Sequence, residues 1–137
     1  MKKLSMILPA ILLTGCATIN RTAVYHGVKV ENGQQPVETV EIENSGWKVL
    51  KLIPIGSGDP LHPNENTCRA FVDTVTLQNN LVLLDSEMKA TGATAIANLT
   101  SRRTEESYLF IVLTRHAYHT SAVLVKDVAA DGKSELP

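Results

Sequence analysis

The chain has 137 residues and near-balanced charge, 13 Lys and Arg against 14 Asp and Glu, for a net of −1. That length suits one domain. The absence of a basic excess and the 4% aromatic content argue against nucleic acid as a partner, since phosphate tracking needs clustered cations and base stacking needs aromatic platforms.

The chain opens MKKLSMILPAILLTGC. Lys2 and Lys3 make a short positive segment, and Leu4 to Leu13 an apolar run interrupted by Pro9. A membrane-crossing helix needs about 20 apolar residues, so this run is too short to span and has the form of a secretory signal peptide. The quartet Leu13-Thr14-Gly15-Cys16 places an aliphatic residue and two small ones before a cysteine. It resembles the lipobox of bacterial lipoproteins. The resemblance implies a diacylglycerol on the Cys16 thiol, removal of residues 1–15 and acylation of the new amino terminus. Two or three acyl chains give a stable membrane anchor, each buried CH₂ contributing about 0.8 kcal/mol. The alternative, a buried helix with Cys16 as a small core residue, does not account for the order charged, apolar, small. In Gram-negative lipoproteins an aspartate after the lipidated cysteine favours inner-membrane retention. Ala17 stands there, so the resemblance implies an outer-membrane anchor facing the periplasm, or the cytoplasmic membrane in a Gram-positive cell. Loss of Lys2 and Lys3 leaves 11 basic and 14 acidic residues, a net near −3.

The mature chain is expected to start with a lipidated tether over 16–22, followed by one domain over 23–128 and a flexible tail over 129–137. Residues 23–31, AVYHGVKVE, alternate like a strand. Asn32-Gly33 signals a turn. Residues 37–43, VETVEIE, make a second strand, Asn44-Ser45-Gly46 a second turn, and residues 47–55, WKVLKLIPI, a third strand ending near Pro54. A breaker-rich loop covers 56–66. Residues 68–75 suit either a lead-in strand or a helical turn.

Apolar residues at 77, 81, 84 and 88 predict an amphipathic helix with Thr76 as N-cap and Gly92 as its stop, and Asn79, Asp85, Glu87 and Lys89 on the other faces. A strand over 93–99 follows. The passage Ala90–Leu99, ATGATAIANL, resembles a helix-to-strand junction found in several small bacterial α+β domains, one of them a family named for heavy-metal binding. It contains no Cys or His, so it implies the junction and no metal. Residues 101–107, SRRTEES, extend or turn. Residues 108–113, YLFIVL, make a strand, a break is expected near Arg115–His119, and residues 120–126 form the last strand. A single helix cannot make a bundle, so the fold class is α+β, a mainly antiparallel sheet with one helix packed on one face.

With Cys16 lipidated, Cys68 has no internal disulfide partner. It is expected as a buried structural cysteine, the alternative being an intermolecular disulfide. His116 and His119, three apart in a strand, point to opposite faces and make no chelating pair; both are expected on the surface or rim. Ser57, Asp59 and His62 are the residue types of a hydrolase triad, without a nucleophile-elbow motif around them. Gly56-Ser57-Gly58-Asp59 lacks the ending of a phosphate-binding loop. Arg102, Arg103 and Arg115 make at most a small basic patch beside Glu105 and Glu106. Trp47 is expected in the core. The sequence therefore predicts a lipid-anchored envelope lipoprotein acting as a non-catalytic binding or structural module, with Cys16 as lipid-attachment residue, no catalytic residues, no metal and no cofactor. Its partners would be the membrane and an envelope protein or a second copy. Two rivals stand beside it: a small-ligand binder or enzyme using the 56–66 loop, and an envelope stress sensor.

Overall fold

The computed structural model describes residues 15–23, 30–109 and 112–128. The expected signal peptide, apart from Gly15, most of the expected 23–31 strand and the expected tail lie outside them. Six strands and one helix follow in order: β1 (Ala17–Thr22), β2 (Gln34–Val49), β3 (Ile53–Gly58), β4 (Cys68–Ala70), α1 (Leu77–Thr91), β5 (Ala95–Tyr108) and β6 (Leu113–Asp127). All pairings are antiparallel. The sheet runs β4-β3-β2-β6-β5, with β1 also on β2. β1 pairs with residues 39–44 of β2 and β3 with residues 46–49, so the two lie end to end along one edge of β2 while β6 holds the other. One helix on a mainly antiparallel sheet is the α+β class.

α1 lies across β2 and β6. Its N-cap is Thr76, in extended conformation, whose hydroxyl accepts from the Asn79 N–H at 3.2 Å; Gly92 ends it at φ 68°. Both ends fall where the sequence places them. The buried face differs. Asn80, Leu83, Leu84 and Glu87 are buried, while Leu77 and Leu81 are each 39% exposed. The stripe is turned because two polar side chains have partners beneath the helix. Asn80 donates to the Tyr118 carbonyl at 3.1 Å and the Thr120 hydroxyl at 3.0 Å, and Glu87 accepts from Arg21. The core under α1 is Ile19, Val40, Ile42, Leu83, Leu84, Ala122 and Leu124, with Met88 and Ala93 packed against it.

Five expectations about the elements are corrected. Residues 17–22 form β1 instead of a tether: Ala17 and Ile19 alternate inward and are buried, and Asn64 brackets Ile19 by accepting from its N–H at 2.8 Å and donating to its carbonyl at 3.2 Å. The domain therefore begins at or before residue 17. Asn44-Ser45-Gly46 is not a turn but the middle of the 16-residue β2. Asn44 is fully buried and donates to the Thr74 carbonyl at 2.6 Å, and a Cβ on Gly46 would come within 2.9 Å of the Val75 side chain. Turn-forming residue types here serve a buried polar contact and a close packing point.

The real reversal between β2 and β3 is Val49-Leu50-Lys51-Leu52. The Leu52 N–H donates to the Val49 carbonyl at 3.0 Å, and Leu50 and Lys51 both have positive φ, 50° and 62°. That is the hairpin geometry normally written Asn-Gly. The expected 108–113 strand is likewise a reversal: β5 ends at Tyr108, Leu109 has φ 48°, and the Val112 N–H donates to the Leu109 carbonyl at 3.1 Å. β6 then runs unbroken through Arg115–His119. The polar 101–107 stretch belongs to β5, an edge strand exposed along most of its length.

Candidate functional site

Cys16 sits one residue ahead of β1. Its N–H donates to the Ser45 hydroxyl at 3.2 Å, and its carbonyl accepts from the Ser45 N–H at 2.8 Å, extending the β1–β2 ladder by one step. Ala17 and Ile19 face α1, so strand alternation directs Cys16 to the opposite, open face of the sheet, with Thr18 and Asn20. The residue is exposed. Two glycines let the chain enter here. A Cβ on Gly15 would meet Ser57 Cα at 2.6 Å, and one on Gly58 would fall on the backbone of Cys16 and Ala17.

On the same open face lies a concavity of about 460 Å³, lined by Asn20 of β1, Glu41 and Glu43 of β2, Arg102 of β5, and His119 and Ser121 of β6, among others. Register places these groups side by side, Glu41 opposite Ser121 and His119 between Glu43 and Arg102. Arg115 donates to Glu43 at 3.0 Å. The His119 ring approaches Glu43 at 3.8 Å through Nδ1 and the Thr104 hydroxyl at 3.3 Å through Nε2. The volume falls in the range of small-ligand sites. Its floor offers donors and acceptors of both charge signs. Sequence reasoning missed it, although the alternation of Glu41 and Glu43 in VETVEIE already placed two carboxylates on one strand face.

The triad residue types do not assemble. Ser57 is buried; its hydroxyl donates to the Val72 carbonyl at 2.7 Å and accepts from the Thr74 hydroxyl at 2.7 Å. Asp59 and His62 do meet, at 3.1 Å, and Asp59 also holds Arg69 at 3.0 Å and the Leu61 N–H at 3.1 Å. The His62 hydrogen bond, with Leu61 and Arg69 behind it, holds the Asp59 carboxyl below its usual range against the effect of burial. This is a loop clamp.

Cys68 begins β4 and is exposed, which corrects its expected burial. His116 and His119 fall on opposite faces, but His116 is only 3% exposed and packs through Nε2 against Asp73 at 3.1 Å, instead of at the rim. The three arginines divide: Arg102 and Arg115 face the open side, and Arg103 the helix side, near Glu105 at 3.6 Å. Trp47 is half-buried on the open face, its ring centroid 5.4 Å from that of Tyr108, and is not part of the core under α1. Among the described residues no three His, Cys, Asp or Glu converge to hold a metal, and no helix is long and apolar enough to cross a membrane.

No protein-family model, curated protein or solved structure matches the chain. Function must therefore be argued from its own surface. Beyond the open-face concavity, that surface carries two apolar hairpin tips. Leu50 and Leu52 at one, and Leu109 and Val112 at the other, are between 48% and 80% exposed, and the tips are joined by the Leu50 N–H donating to the Val112 carbonyl at 2.8 Å.

Proposed function

We propose that this protein is a bacterial lipoprotein, anchored by lipid on Cys16 to the cell envelope, whose domain is a non-catalytic binding or structural module. The observation that carries the reading is the sequence MKKLSMILPAILLTGC, with its charged start, ten-residue apolar run and lipobox ending at Cys16. The exposure of Cys16 on the open face is compatible with a thioether there. The module reading draws support from the contact surfaces. β5 leaves a 14-residue edge without a further strand among the described residues, the kind of edge to which a partner can add a strand. The open face adds a polar concavity beside the anchor.

The test is Cys16→Ser in cells fed labelled palmitate. The wild-type chain takes up label and is processed to a shorter form; the variant does neither. Equal label in both sinks the reading. Crosslinking the native protein in its envelope then identifies the partner.

A ligand-binding role is the second reading, favoured by the 460 Å³ concavity. It moves from the 56–66 loop, where Ser57 is buried and Asp59 is clamped, to the open face between β1, β2, β5 and β6.

A further inference from the structure

Among the described residues the outer edge of β5 is open, and β6 is its one strand neighbour. Two interruptions bound its regular stretch. A register shift lies between Ala97 and Thr100, where Asn98 has φ 52°, and the chain reverses at Leu109. Between them residues 100–108 run in step with β6, all exposed except the half-buried Thr104. Residues 101–107 read SRRTEES. The segment is a palindrome about Thr104 with the charge reversed: from its two ends serine answers serine, and arginine answers glutamate. Thr104 is also the midpoint of residues 100–108, so the centre of the charge pattern and the centre of the open edge coincide.

We propose that a second copy of this chain adds its own β5 to this edge, antiparallel, with Thr104 opposite Thr104 on a two-fold axis. The pairing rests on the reading of β5 as a contact edge and names its partner; lipidation plays no part in forming it. Residues directly opposite in an antiparallel pair share a face of the sheet. Centring on Thr104 therefore sets Arg102 against the second copy's Glu106 on the open face, and Arg103 against the second copy's Glu105 on the helix side. Symmetry repeats both, so all four arginines meet glutamates. Opposite charges across strands stabilise and like charges destabilise. A symmetric pair that keeps the pleat can slip only by two residues, and the two slips set Arg103 against Arg103 or Glu105 against Glu105. Charges on an edge strand ordinarily discourage chance pairing. Here their order admits one partner in one register. Within one copy Glu105 already holds Lys51 at 3.0 Å and Arg103 at 3.6 Å, but Arg102 and Glu106 enter no ion pair among the described residues. The outer pair is completed only by the second copy. The axis stands normal to the sheet, so both open faces look the same way, each with its exposed Cys16. Two anchors on one side suit a single membrane surface.

The experiment is disulfide trapping of the full-length protein in its own envelope, with Cys68→Ser as the parent because Cys68 is exposed. Thr104→Cys places a thiol opposite its own symmetry mate, within the roughly 4.4–6.8 Å between Cα atoms that a disulfide needs. Mild oxidation is expected to convert most of that variant to a dimer on a non-reducing gel. Ser107→Cys, whose mates stand six residues or about 20 Å apart, is expected to give about tenfold less. In the Thr104→Cys chain, Arg102→Glu with Arg103→Glu, and separately Glu105→Arg with Glu106→Arg, set like charges opposite each other and are expected to cut trapping about fivefold. Co-expressed with tags of different size, the two recover it as a mixed dimer, which also shows that both fold. No dimer from Thr104→Cys, equal trapping from Ser107→Cys, or undiminished trapping in both charge variants overturns the proposal. Thr104→Cys trapped to a protein of another mass also overturns it, and leaves the binding-module reading standing with a different partner. No trapped species of any mass removes β5 as a contact edge and takes its support from that reading as well.

Discussion

Arg21 on β1 grips Glu87 on α1 through two parallel hydrogen bonds, Nε to Oε2 at 2.6 Å and an Nη to Oε1 at 2.9 Å. The Glu87 side chain is only 7% exposed, whereas that of Arg21 is half in solvent. The fork fixes the first strand of the sheet to the helix that covers it. Replacing Arg21 with Ala leaves a nearly buried carboxylate without its partner, and unfolding by urea should show a loss of about 2 kcal/mol. The double variant Arg21→Ala, Glu87→Leu should recover much of it, because an apolar side chain of similar size needs no partner.

Gly58 is predicted to be intolerant of any side chain. A Cβ there falls on the backbone of Cys16 and Ala17, which cannot rotate away as a side-chain tip could. Gly58→Ala should cost about 1–3 kcal/mol. Hydrogen exchange should locate the damage in β1, with faster exchange at Ile19 than at Leu124. Uniform loss of protection across the sheet would contradict this account.

The acid limb of the stability curve should depend on Asp73. Burial opposes ionisation of its carboxyl, but the hydrogen bonds from Lys48, His116 and the Val75 N–H outweigh it and hold the pKa below its ordinary value. Glu105 is also lowered, chiefly by its hydrogen bond from Lys51, and Asp59 by that from His62. A folded value below the unfolded one, about 4 for these groups, means stability that is complete above that pH and lost as pH falls through the folded values. Urea midpoints should therefore hold steady down to about pH 4 and drop below it. In Asp73→Asn that drop should be shallower.

Leu50 is a site where a substitution should stabilise. It holds φ 50° at 58% exposure, in a turn position that favours Asn or Gly. Leu50→Asn removes left-handed strain of roughly 1 kcal/mol at little loss of packing, and the melting temperature should rise. An unchanged or lower melting temperature would show that the apolar tip contributes to the folded state.

The helix was legible because its signals are local: Thr76 and Gly92 act on backbone groups within one turn of themselves. Its buried face was not, since Asn80 and Glu87 are buried only because Tyr118, Thr120 and Arg21, far away in the chain, supply their partners. The reversals misled for a related reason. Asn44 and Gly46 carry turn chemistry but are used inside β2, while Leu50, Lys51 and Leu109 carry none and turn the chain. β1 was readable from the alternation of Ala17 and Ile19 against Thr18 and Asn20, had those residues not been assigned to a tether. Of the candidate site, the reading of Cys16 rests on its immediate sequence neighbours alone. The concavity was not legible, because it exists only once Asn20, Glu43, Arg102 and His119 from four strands are in register.

The β2–β6 ladder sets the timing of folding. Gln34 meets Asp127 across 93 residues of sequence, and Glu43 meets Arg115 across 72. β6, the last strand among the described residues, is interior to the sheet, flanked by β2 and β5. The β5–β6 hairpin is local and can close as soon as both its strands exist, whereas β2 must find residues 113–127 across the chain, and contacts over such separations form slowly. A chain emerging amino end first therefore leaves the β6-facing edge of β2 unpaired until residues 113–127 have been made.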